Sequence, residues 1–155
     1  FTTPTALGTS GTFAGVNGVV VFNGTPIALI TDATININRN IANAQVLGSN
    51  SIAESFDGRC VVDGSFSMYF SDAVARDAYK NETEVSLIFT LTANNTATSD
   101  FVSLTIPRAK INSAGKADAE TGITMSCDFQ ALLATAGGAG TVSEASTLVV
   151  QDSLA

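Results

Sequence analysis

Histidine is absent from this chain of 155 residues, and cysteine occurs only at Cys60 and Cys127. Without histidine there is no Ser-His or Cys-His nucleophile pair and no histidine metal cluster, and two cysteines cannot complete a four-ligand zinc site. Charge is scarce too, at 14% of residues, against roughly 25% in an average soluble domain. The charges present are 7 basic and 14 acidic, a net of −7. A nucleic-acid binder would need clustered Lys and Arg to neutralise phosphates, so this balance argues against one. Apolar runs are short, as at Gly18–Phe22, far below the ~18 residues of a membrane span.

The polar surface must therefore be built mainly from Ser, Thr, Asn and Gly. The length suffices for one domain with a proper core. Residues 1–18, rich in Thr, Gly and Ala, read as a flexible N-terminal arm, and 19–155 as a single β domain. Phe1-Thr2-Thr3-Pro4 has neither a basic leader nor an apolar h-region, so no retained signal peptide is expected.

Period-2 alternation dominates the chain from Val19 onward. A strand at Val19–Phe22 meets an Asn23-Gly24 turn, a strong hairpin signal. Ile35 and Ile37 oppose Thr34, Asn36 and Asn38. Val62, Gly64, Phe66, Met68 and Phe70 oppose Val61, Asp63, Ser65, Ser67 and Tyr69. The same alternation recurs at Glu84–Thr92, Phe101–Ile106 and Ile123–Ala131. Several such strands predict an antiparallel sheet with one dry and one wet face.

Residues 39–55 lack a strict period and read as a long arm leaving the domain. One short helix is expected at Ser71–Lys80, capped by Ser71 or Asp72 and docking Val74 and Ala78 on the sheet. Pro107 is expected to end a strand, Asn112–Gly122 to be a polar loop and Gly137–Gly140 a hinge before a last strand near Thr147–Gln151. Both cysteines fall on expected strands, which favours buried free thiols. A bridge would need an oxidising compartment.

Paired carboxylates are the remaining catalytic option, and Asp57, Asp63 and Asp72 are its candidates. Asp63-Gly64-Ser65 resembles an acid-protease turn only loosely, and Asn112–Glu120 lacks calcium-loop spacing. No active site is legible, so neither an enzyme nor a cofactor or metal is expected.

The order of Asp32–Asn38, the arm with Val46-Leu47-Gly48-Ser49, the strand Val62–Phe70, the helix start Ser71-Asp72-Ala73-Val74, Glu82–Leu87, Leu104–Arg108 and Asp128–Leu132 resembles the tail tube (major tail) proteins of long-tailed, non-contractile bacteriophages. The resemblance spans about Ala28–Leu133. It implies a mainly β fold, an antiparallel β-sandwich or half-barrel with one short flanking α-helix. It also implies a structural subunit of the virion that is assembled in the host cytoplasm. Copies would join edge to edge into hexameric or pseudo-hexameric rings, stacked into a tube through which DNA passes without specific binding. Tail terminator, tape measure and tail tip proteins would be further partners, and no membrane would be. On that reading Asn36, Asn38, Asp63, Ser65, Ser67, Glu84, Ser86 and Asp128 are the lumen-facing candidates. Arg39, Ile41, Val46, Leu47 and Ile52 are the candidates for contacts between rings. The alternatives are a secreted fimbrial or pilus subunit with Cys60 and Cys127 bridged, or a type VI secretion tube subunit.

Overall fold

The computed structural model describes residues 13, 15–27, 29–44, 47–48, 54–70, 74–96, 98–119, 122–135 and 146–153. A single 3-10 turn at Gly15–Asn17 leads into β1 (Gly18–Phe22). Asn23 and Gly24 then take φ of 48° and 82°, the left-handed pair that matches the twist of a tight hairpin. β2 (Thr25–Ile27) returns along β1. The chain continues through β3 (Ile30–Asn38), β4 (Ala42–Ala44), β5 (Glu54–Phe56), β6 (Val61–Tyr69), α1 (Val74–Lys80), β7 (Glu84–Thr92), β8 (Phe101–Ala119), β9 (Gly122–Ala131) and β10 (Val149–Asp152). All strand pairings are antiparallel.

One sheet of 8 strands runs β2-β1-β7-β8-β9-β6-β3, with β10 added to β8. Among the described residues, β4 and β5 pair only with each other and form a separate two-stranded ribbon within the arm. The large sheet bends through β8. The first half of β8 lies between β7 and β10, and its second half pairs with β9. The dry faces of the two halves meet around Phe66, Phe129, Leu87, Ile106 and Met125, all fully buried. Phe22, Phe66, Phe129 and Phe89 form a chain of rings with successive centroids 6.3, 6.3 and 6.1 Å apart, spacings at which aromatic pairs attract beyond their burial. The half-barrel does not close between β1–β2 and β3, where Val20, Ile27, Ile30 and Ile35 line an open apolar trough of about 800 Å³.

The sequence expectation fails most clearly along β8. Pro107 does not end the strand, and Asn112–Ala119 is strand rather than loop. Leu87 pairs with Ile106 and Val85 with Ala109, so Pro107 and Arg108 together oppose the single residue Ser86. Such a bulge absorbs a residue that has no N–H to donate. A second bulge at Asn112 resets the register, and Ser113–Ala119 then pairs with Asp128–Gly122.

The helix expectation needs a smaller correction. α1 is described from Val74, and its caps at Ser71 or Asp72 lie outside the described residues. Ala75 and Ala78 are buried, while Val74 is exposed. The docked face is thus an i, i+3 pair one position removed from the one expected. The helix ends in a Schellman arrangement, with Thr83 N donating to Ala78 O at 2.9 Å and Glu82 N to Tyr79 O at 3.1 Å. Glu82 occupies the left-handed position there, at φ 52°.

The cysteines part company. Cys127 on β9 is buried as expected, but Cys60 precedes β6 and is exposed, and both are free. The bridge invoked for a pilus subunit is therefore not formed. The Gly137–Gly140 hinge lies outside the described residues, and the last strand appears as β10.

Candidate functional site

The second half of the sheet, β8-β9-β6-β3, sets polar residues side by side on the face away from the core. The registers align Asn36, Asp63, Gln130 and Lys110 in one row across four strands. Thr34, Ser65, Asp128 and Ser113 form the next row, and Asp32, Ser67, Ser126 and Gly115 a third. The rows arise because a pleated strand turns alternate residues to opposite faces, and the apolar set of β6 and β9 is committed to the core.

Short side chains bond to one another across these rows. Ser113 Oγ donates to Asp128 Oδ2 at 2.6 Å, and Asp128 N donates back to Ser113 Oγ at 3.3 Å. Asn36 Nδ2 donates to Asp63 Oδ2 at 3.3 Å. Among the described residues, no ion pair involves Asp63 or Asp128. Their negative charge therefore stays unpaired on a face otherwise made of hydroxyls and amides, with Asp32 on β3 and Lys110 on β8 as its other charged residues.

Glu84 behaves differently. It stands opposite Lys110 at the border of this face, and Arg108 grips it with Nε and Nη2 at 2.6 and 2.7 Å from the two carboxylate oxygens. The hydrogen bond from Arg108 holds the Glu84 carboxyl below its ordinary range, outweighing a desolvation effect of opposite sign. The same bond raises the Arg108 guanidinium. Lys110 Nζ lies 3.1 Å from Glu82 Oε2. The acidic and basic residues at this border neutralise one another.

Of the lumen-facing candidates, Asn36, Asp63, Ser65, Ser67 and Asp128 come together on the four-stranded face. Asn38 sits at the end of β3, its Oδ1 accepting from Asn40 N at 2.9 Å. Ser86 is the residue opposite the bulge, its carbonyl accepting from Asn23 N at 2.8 Å. Lys110, Ser113, Ser126 and Gln130 join the face without being among the candidates. Ser113 escapes sequence reasoning because its segment has the composition of a loop, yet Arg108 and Lys110 alternate with Ala109 and Ile111, a signal that extends the strand.

The inter-ring candidates are partly described. Arg39 pairs with Asp57 at 3.3 Å, and Ile41 and Leu47 are exposed. Val46 and Ile52 lie outside the described residues. Among the described residues no cluster of His, Cys, Asp or Glu could hold a metal ion.

Known proteins share this architecture. A family model described as phage tail tube protein matches residues 1–131. A search of curated protein sequences finds no match. Among solved structures, the SPP1 tail tube, determined by solid-state NMR and cryo-electron microscopy, is similar at 18% identity and a TM-score of 0.59, covering 77% of this chain and 75% of the other. A chain from the sheath/tube terminator structure of an extracellular contractile injection system, PVC, is similar at 9% identity and a TM-score of 0.65, covering 93% of this chain and 99% of the other.

Proposed function

The chain belongs to the phage tail tube protein family and is a structural component of the virion, and we propose that the polar face of β8-β9-β6-β3 lines the bore of the tube it builds. The observation that carries this reading is the pair of open edges on that face. Among the described residues, β3 has a strand partner on one side only, and beyond Lys110 the edge of β8 turned away from β9 has no strand partner. An unpaired edge is an aggregation hazard in a monomer and a ready-made joint in an assembly.

The strand directions suit a ring. With antiparallel neighbours throughout, β3 runs opposite to β8. Rotation about a central axis keeps that relation, so β3 of one copy meets β8 of the next as an antiparallel pair. The joined sheet continues around the bore with its core faces outward and its hydroxyls, amides and carboxylates inward. A ring of six carries six times the chain's charge of −7. A wall of that sign repels phosphates and offers DNA no Arg or Lys comb to hold it, which favours passage over binding.

The role so assigned is structural rather than catalytic. Assembly takes place in the host cytoplasm, with tape measure, terminator and tip proteins as the other partners. The arm, with Ile41 and Leu47 exposed, reaches the neighbouring ring. Electron microscopy of the purified protein at rising concentration should show rings or tubes as wide as a phage tail. A species that stays monomeric throughout would overturn the reading.

A further inference from the structure

The arm leaves and rejoins the body at two crossings, Arg39–Ile41 on the way out and Asp57–Cys60 on the way back. Among the described residues, β4 and β5 share three residue pairs with each other and none with the main sheet. That ladder joins the two strands of the arm to each other and not to the body. Among the described residues, the hydrogen bonds that tie the two sides of the arm's base together lie at these crossings.

The crossings are bound to each other. Asn40 takes φ 48°, a left-handed conformation that asparagine tolerates better than other side chains. Asn38 Oδ1 accepts from Asn40 N at 2.9 Å, and Asn40 Nδ2 donates to Arg59 O, also at 2.9 Å. Gly58 lies flat against this turn. A Cβ there would overlap the Asn40 carbonyl oxygen and approach its Cβ to 2.9 Å and its carbonyl carbon to 3.0 Å. Backbone atoms cannot swing aside as a flexible side chain would, so only glycine admits this approach. The Arg39–Asp57 pair at 3.3 Å bridges the same two crossings.

We propose that Asn40 and Gly58 are positioning residues for stacking: they clasp the base of the arm and preset its angle in the free subunit. The proposal rests on the assignment of the arm to the contact between rings. A clasped arm presents Ile41, Leu47 and Phe56, all exposed, in one orientation. An unclasped arm must lose its freedom at the moment of contact. If release leaves the competent orientation occupied a tenth of the time, each contact weakens roughly tenfold. Several arms engage as each ring is added, so the effect compounds.

The free subunit can report the clasp directly. Cys60 is exposed and Cys127 buried, so spin labels on Cys60 and on a Leu47→Cys variant give one distance from the base to the arm. In the otherwise unaltered protein the distance distribution should be narrow. Gly58→Ala, which wedges the crossings apart, should broaden it and raise the concentration needed for tube growth by about tenfold or more. Asn40→Gly keeps the left-handed turn but loses the bond to Arg59, and should do the same more mildly. Both sites are exposed, so circular dichroism and the melting temperature should change little.

Equal widths in the unaltered protein and both variants would overturn the clasp. So would broadened distributions with tube growth at the normal concentration. Deletion of residues 41–50 separates the two ideas. If tubes still grow normally, the arm does not join rings, whatever the distances show.

Discussion

Gly64 on β6 packs so tightly against Thr34 on β3 that a Cβ on Gly64 would overlap the Thr34 carbonyl oxygen and come within 2.7 Å of the Phe129 ring. The position is on the core side of β6, between the buried Val62 and Phe66. Its lack of a side chain lets the Phe129 ring lie beneath the strand while β3 stays in register. Gly64→Ala should therefore loosen β3 and displace Phe129 at once, at a cost of about 2–4 kcal/mol. Urea unfolding gives the loss, and hydrogen exchange should show it concentrated in the amides of 30–38.

The wall of the bore is tested by charge reversal. Asp63→Lys and Asp128→Lys put a cation where no ion pair now stands, and both residues are on the wet face. Subunits should assemble normally and eject DNA more slowly, with the defect relieved as salt screens the contact. Ejection kinetics of phage carrying each variant measure this. Glu84→Lys is a different experiment, because it removes the Arg108 partner at 2.6 Å as well and so disturbs the β7–β8 joint.

The thiols should separate by reactivity. Burial, with a smaller contribution from Asp128, pushes the Cys127 thiol from 9.0 up to about 11. At pH 8 a thiol reagent should modify Cys60 within minutes and reach Cys127 only on unfolding. The folded state holds the Cys127 proton more tightly than the unfolded chain does. The contribution to stability is therefore complete below pH 9.0 and is lost as pH rises towards about 11. Cys127→Ala should flatten that alkaline decline, as melting curves across the interval will show.

Glu82 carries a strain that sequence alone does not reveal. It fills the left-handed position at the end of α1, where glycine is the usual residue. Glu82→Gly relieves that conformation, gives up an exposed ion pair with Lys110 and frees the unfolded chain somewhat. The balance should be a gain of about 0.5 kcal/mol, read from denaturant midpoints.

Legibility tracks packing. Val62, Phe66 and Met68 announce β6 because the core demands an apolar residue at every second position, and Met125, Cys127 and Phe129 announce β9 for the same reason. Residues 113–119 announce nothing. They are small or charged and their strand exists because β9 pairs with it, a long-range condition that local alternation cannot carry. Pro107 misleads for a related cause, since the bulge that tolerates it is formed with Ser86 on another strand. The carboxylates of the wet face are visible as the polar positions of alternating strands. Their grouping into rows needs the register, and the neutralisation of Glu84 needs Arg108 to be placed across from it. The helix phase slips because a single turn of apolar spacing fits Val74 with Ala78 as well as Ala75 with Ala78.

The proposed tube depends above all on the face bearing Asp63, Ser65, Ser126 and Asp128 turning inward. A cryo-electron microscopy reconstruction of assembled tubes, with Ser126→Cys in a Cys60→Ser background modified by a gold-cluster maleimide so that the exposed Cys60 takes no label, tests it most directly. Ser126 is exposed on β9, so the label should attach in the free subunit and appear as density inside the bore. Density on the outer surface, with the bore formed by another part of the chain, would contradict the account.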